Sequence, residues 1–154
     1  MNERGIRGFK ASLMVLGILY VMMAASMLVR GHGVMRDFGA PEELVSSPIF
    51  ADVFSFFYEM MAAFGLSMVL FGQVTRDRAS QVLVAAVYCA ISLRFMLRDL
   101  STSDSEFGNH LYKGAATQVF VYIGLTYTTV FGALALAGLR AGRRKRAERQ
   151  GQHA

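Results

Sequence analysis

The sequence predicts an all-α polytopic membrane protein, a four-transmembrane-helix antiparallel bundle. Three observations predict it. Of 154 residues, 54% are hydrophobic and 18% charged, with a mean hydropathy of +0.38. The charges are concentrated in a few places, leaving several apolar runs long enough to cross a hydrocarbon core of about 30 Å at about 1.5 Å per helical residue. Lysine and arginine are also divided unequally between the two ends of those runs. The length allows a single domain, 1–139, followed by a basic tail, 140–154.

The first span is expected at about 11–29, where 19 residues pass without a charge after Arg4, Arg7 and Lys10. A basic flank before an apolar run also describes a secretory signal, and Met23-Ala24-Ala25-Ser26 is a passable cleavage region. The run exceeds the roughly 7–15 residues of a signal core, so a retained helix is the preferred reading. The connection from Arg30 to Asp52 is broken by Gly31, Gly33, Gly39, Pro41 and Pro48. Within it Pro41-Glu42-Glu43-Leu44 can start a short interfacial helix, because proline suits a first turn and acids suit a helix N-terminus. Asp52 is the expected cap of the second span, placed at about 53–74. Phe54, Phe56, Phe57 and Tyr58 crowd its start, the level of a headgroup boundary.

The turn Thr75 to Arg78 holds nothing but a tight reversal, so the second and third spans (third at about 79–97) are expected to be antiparallel neighbours. Asp99 to His110 reads as a polar loop. The fourth span lies within the 26 uncharged residues 114–139, and the basic tail 140–154, whose RAGRRKRAERQ lies against an anionic leaflet, is expected to be disordered. On one side fall Arg4, Arg7, Lys10, Arg76, Arg78 and the basic residues of the tail, and on the other only Arg30, Arg36, Arg98 and Lys113 among many acids. The positive-inside rule therefore puts both termini in the cytoplasm, as an even number of spans requires. A multi-pass protein of a bacterial cytoplasmic (inner) membrane is expected. The basic pI of about 9.7 follows from this topology, and nucleic acid is not expected as a partner.

Cys89, the one cysteine, lies in an apolar run as an inert thiol, and His32, His110 and His153 lack ligand spacing, so no metal is expected. The ten methionines are scattered as packing filler. Charges within a span are expensive and call for a partner. Glu59 in span two and Arg94 in span three fall at similar depth across the tight turn, with Arg98 one turn beyond Arg94. Ser55, Ala62 and Ala63 beside Glu59, and Ala86 and Ala90 below Arg94, argue that both face inward. In one reading Glu59 and Arg94 form an interhelical ion pair that fixes register, with Arg98 snorkelling to the headgroups. In the other they form an outward-facing pocket walled by Tyr58, Tyr88, Gln118 and Tyr122, which binds a small amphipathic ligand or relays a proton. Gly124, Thr128 and Gly132 make a small-residue series on span four, read first as internal packing and second as a face for a protein partner or homo-oligomer. Thr126, Thr128 and Thr129 are expected to return their hydroxyls to helix carbonyls.

Residues Tyr58 to Ile91, YEMMAAFGLSMVLFGQVTRDRASQVLVAAVYCAI, with Glu59, Gly65, Gly72 and the Thr75-Arg76 turn, resemble the DoxX-like group of small bacterial four-helix membrane proteins. The loop GHGVMRDFGAPEEL looks like the one those families place between spans one and two. The resemblance implies an inner-membrane four-helix bundle, in some members linked to redox or quinone systems, and supplies no catalytic residues. Ala62 and Ala63 stand where those families more commonly have a glycine pair. The expected function is that of a non-enzymatic accessory or partner-binding subunit in the lipid bilayer. The alternative is a quinone-binding or small-ligand-binding redox component using the pocket around Glu59 and Arg94. A transporter is less favoured, since no helix pair is broken by glycine and proline.

Overall fold

The computed structural model describes residues 5–102 and 115–151, and the side chains of 5–101 and 120–144. Its long helices are α1 (Phe9–Arg30), α3 (Pro48–Val74), α4 (Arg78–Thr102) and α5 (Ala115–Gly151), with a short α2 (Glu42–Val45) in the first connection. All four long helices contain stretches long and apolar enough to cross a membrane. Among the described residues there is no strand.

The helices run past their apolar stretches, and each extension has a local cause. α3 begins at Pro48, ahead of the expected Asp52 cap, because proline at a first helical position lacks only an N–H that no helix carbonyl would have accepted. α4 continues through Asp99 to Thr102, positions read as loop from their polarity. α5 carries on into the tail, which is helical to Gly151 rather than disordered. Alanine, arginine, lysine, glutamate and glutamine are good helix formers, and a helix already nucleated in a span propagates through them; cations also suit its C-terminal end.

The helices pack as two close pairs. On α1, buried Phe9, Leu13, Leu16, Gly17, Ala24 and Met27 recur at intervals that keep them on one stripe. They meet buried Phe54, Tyr58, Gly65, Met68 and Gly72 of α3. Gly17 and Gly65 mark the closest approach: a Cβ at Gly17 would lie 2.6 Å from the Gly65 carbonyl oxygen, and one at Gly65 2.7 Å from the Gly17 carbonyl oxygen. In the second pair, Gly124 of α5 sits on Met96, Gly132 on Cys89 and Gly138 on Val82 of α4. α3 and α4 follow one another across the tight turn, but their backbones approach less closely than those of the two pairs, and they meet through side chains. The turn is stitched by Asp77, whose carboxylate accepts from the Ser80 N–H at 2.8 Å and is held below the usual carboxylate range by that bond and by the Ser80 hydroxyl. Buried Gln81 ties both ends of the turn to the N-terminal segment, accepting from the Ile6 N–H and donating to the Thr75 carbonyl at 3.1 Å.

The first connection is a packed cap. Val34, Met35, Ala40 and Val45 are buried with Ala24 and Met27 of α1 and Phe54 and Tyr58 of α3. Gly31 and Gly39 turn the chain with φ of 70° and 86°, a conformation that favours glycine. Arg36 clamps Glu42 through two bonds of 2.6 Å, and the Ser46 hydroxyl donates to the same carboxylate at 2.8 Å. Arg36 first and Ser46 second lower the Glu42 carboxyl to about 2 from a usual value near 4.5. A carboxyl depressed in the folded state stabilises that state fully above its unfolded value and loses the contribution as the pH falls through its folded value. The cap should therefore loosen between about pH 4.5 and 2. Glu42→Gln should remove that pH dependence; hydrogen exchange of the amides of 34–45 measures it, and a profile unchanged by the substitution would assign the effect to another group. The effect is small, because both side chains are exposed to solvent screening.

Candidate functional site

The centre of the bundle is a circuit of aromatic rings drawn from all four long helices. Tyr20 of α1 lies 5.7 Å from Phe64 of α3, which lies 5.1 Å from Tyr88 of α4. Tyr88 stacks on Phe131 of α5 at 5.3 Å, Phe131 lies 6.1 Å from Tyr127, and Tyr127 closes the circuit on Tyr20 at 4.8 Å. The edge-to-face arrangements put a ring's positive rim on a neighbour's negative face. Two hydroxyls fasten the circuit to the helices. Tyr127 donates to the Leu16 carbonyl at 2.8 Å, joining α5 to α1, and Tyr88 shares a 2.7 Å bond with Ser67, joining α4 to α3.

The sequence-predicted site residues are not gathered in one pocket. Tyr88 is spent on the aromatic circuit. Tyr58 is buried against Phe54 at 4.6 Å and Phe57 at 5.1 Å, beneath the first connection. Tyr122 is exposed on α5, Arg98 is exposed on α4 beside Asp99, and the Gln118 side chain lies outside the described residues. Glu59 and Arg94 are both exposed. Arg30 pairs with Asp37 and Arg36 with Glu42, whereas Glu59 and Arg94 are not paired with one another, so the expected bridge between them within the chain is not formed.

The reason is azimuthal. Tyr58, Gly65 and Gly72 turn toward α1, and on a helix advancing 100° per residue Glu59 then points out of the α1–α3 seam. Gln81, Ala85, Tyr88 and Ser92 likewise form the buried stripe of α4, leaving Arg94 outside it. The small residues expected to line an inward face are outside too: Ser55, Ala63, Ala86 and Ala90 are exposed, and Ala62 is half-buried.

Gly124 and Gly132 receive side chains of α4: a Cβ at Gly124 would lie 2.9 Å from Met96 Cβ, and one at Gly132 3.5 Å from Cys89 Sγ. The small-residue face of α5 is therefore engaged inside the chain. Thr126 returns its hydroxyl to the Tyr122 carbonyl at 2.8 Å, as expected, but the Thr128 hydroxyl does not bond back. It is buried without a partner among the described residues, as is the Ser92 hydroxyl. Cys89 donates to the Thr128 carbonyl at 3.5 Å. The aromatic circuit was not anticipated from the sequence. Its only signal there is that one aromatic from each span falls at the middle of the chain's apolar stretches.

Among the described residues no three His, Cys, Asp or Glu side chains come together in a way that could hold a metal. No family model matches the chain, and neither the curated proteins nor the solved structures supply a match.

Proposed function

We propose that the protein is a non-enzymatic partner-binding subunit of a bacterial cytoplasmic membrane, a four-span antiparallel bundle with both termini in the cytoplasm. The membrane reading is supported by four helices whose apolar side chains are turned outward along much of their length, including Leu19, Met22, Leu66, Leu70, Val87 and Leu136. The orientation rests on the excess of Lys and Arg at the chain ends and the Arg76-Asp77-Arg78 turn. The resemblance to the DoxX-like group belongs to the same proposal.

One observation carries the partner-binding role. Glu59 and Arg94 stand on the outer surface of two spans, each among exposed apolar side chains, and neither has a partner among the described residues. An ionised side chain facing lipid is costly, most of all at the centre of a span, and is found paired or turned inward. A partner outside the chain removes that cost. The quinone alternative draws no comparable support, because its proposed walls, Tyr58, Tyr88 and Tyr122, face three different environments.

Purification from native membrane in mild detergent, with mass spectrometry of bound proteins and extracted lipids, tests the role. A membrane protein chain, whether a further copy or another protein, is expected at fixed stoichiometry. A single-copy species without any protein companion would refute the proposal. A quinone recovered from that species and lost in Glu59→Gln would replace it with the ligand-binding reading.

A further inference from the structure

Glu59 and Arg94 have opposite charges, and they also stand at one level. Glu59 lies 15 residues before Val74, the end of α3, and Arg94 lies 16 residues after Arg78, the start of α4. Both helices leave the same short turn, so at about 1.5 Å per residue the two groups are about 22–24 Å from it. The 2.7 Å bond between Ser67 and Tyr88, residues 7 before Val74 and 10 after Arg78, gives a registration that agrees to within two residues, about 3 Å. Each charge also sits in a run of small exposed residues. On α3 the run is Ser55, Glu59, Ala63, and on α4 it is Ala86, Ala90, Arg94, each with a spacing of four that keeps it on one face. Large exposed neighbours include the apolar Phe56 and Met60 around Glu59 and Leu93 and Phe95 around Arg94, with exposed Arg98 one turn beyond Arg94. A small-residue face lets another helix come close, and a charge on that face then meets its counterpart over a short distance in a medium of low dielectric.

We propose that these two faces are the complementary halves of an interface between copies of this chain, in which Glu59 of one protomer pairs with the partner's Arg94. The proposal rests on the partner-binding reading above and names its occupant as a second copy. A second copy is favoured because this one chain carries both charges at one depth, so a single contact in the membrane neutralises a carboxylate and a guanidinium together. The guanidinium's fork also matches the carboxylate in a planar two-bond geometry. The α5 series Gly124, Thr128, Gly132 is unsuited to the same task, being packed on α4.

The test uses two differently tagged full-length copies expressed in one membrane and co-purified through one tag. Parent copies are expected to associate. Glu59→Arg copies present two arginines and Arg94→Glu copies two glutamates, so each variant should lose association with itself. Mixed together, they should associate again, because each then offers what the other lacks. A pair formed within one chain would not be restored by mixing, and that result would overturn the proposal. So would undiminished self-association of either variant. Glu59→Gln and Arg94→Gln, which change an exposed side chain without reversing it, guard against failure to fold. Each should retain the parent's unfolding midpoint as an isolated chain while weakening association about tenfold. Unchanged association in both would again overturn the proposal. A parent chain found alone but bound at fixed ratio to a different membrane protein would sink this inference and leave the partner-binding reading standing, whereas a parent chain with no companion would sink both.

Discussion

Replacing Gly65 with leucine is expected to force α1 and α3 apart and to lower the stability of the bundle by about 3 kcal/mol. The obstacle is backbone. A Cβ at Gly65 would lie 2.7 Å from the Gly17 carbonyl oxygen and 2.9 Å from both Tyr20 Cβ and Val21 Cγ2. None of these is the far end of a flexible chain, so no rotamer change relieves the contact, and the helix axes must separate along the seam. Separation also draws Tyr20 away from Phe64, loosening the aromatic circuit at the same level. Gly65→Ala should already destabilise, by about 1–2 kcal/mol, against the usual helix-propensity gain of alanine over glycine. Gly142→Ala supplies the contrast, because a Cβ there meets nothing within 4 Å and only the propensity gain remains. Unfolding in mixed micelles by a denaturing detergent, followed by circular dichroism, reads all three. Equal midpoints for Gly65→Leu and the parent would mean that α1 and α3 do not approach as closely as the glycine contacts require.

The four spans were legible because hydropathy is a summed property of about 20 residues and tolerates local exceptions. Their ends were not. Pro48 and the arginine-rich tail are helix-breaking or polar by composition, yet each is acceptable where it stands, proline at a first position and arginines near a C-terminus, while Asp99 stays helical in the last turns of α4 although the dipole there does not favour an acid. Which faces turn inward was also not legible. The short turn from Thr75 to Arg78 makes antiparallel neighbours of α3 and α4 the natural expectation, yet their backbones are not among the closely packed pairs. Gly17, Gly65 and Gly72 instead draw α3 onto α1, and Gly124, Gly132 and Gly138 draw α5 onto α4. Rotating α3 by the 100° between Tyr58 and Glu59 is enough to exchange which of the two is buried.

The same rotation explains what happened to the candidate site. The depth of Glu59 and Arg94 is read by counting from the turn, 15 residues before the end of α3 and 16 after the start of α4. Their azimuth depends on helix partners, which the apolar pattern of a span does not encode, since nearly every position in it is hydrophobic. Tyr88 and Tyr127 were hidden for a related reason: a tyrosine in an apolar helix can end exposed on the outer surface, as Tyr122 does, or reach a neighbouring helix, and only the packing decides.

Tyr88→Ala should have the other large effect, about 3–5 kcal/mol, the range for deleting a big aromatic from a core. Tyr88 is the side chain through which the two close pairs meet most extensively. Its ring contacts Phe64 and Phe71 of α3 on one side and stacks on Phe131 of α5 on the other, and its hydroxyl bonds Ser67. Because the backbones of α3 and α4 do not pack as closely as those within each pair, little replaces these contacts on the α3–α4 side when the ring is removed, and Tyr127 with Tyr20 and the Leu16 carbonyl holds the α1–α5 side. The pairs should survive individually, held by Gly17 on Gly65 and Gly124 on Met96, while the junction between them opens. Tyr88→Phe separates the ring from the hydroxyl: it keeps every ring contact and loses only the bond to Ser67, about 0.6 kcal/mol for a hydrogen bond between membrane helices. A double-mutant cycle with Ser67→Ala checks that assignment, since a coupling near zero would mean that the hydroxyls do not act on one another. Spin-label distances should lengthen between α3 and α4 in Tyr88→Ala while those between α1 and α3 stay put. If alanine proves no more damaging than phenylalanine, the ring is not what joins the two halves, and the junction must be held by Tyr127 and its 2.8 Å bond to Leu16.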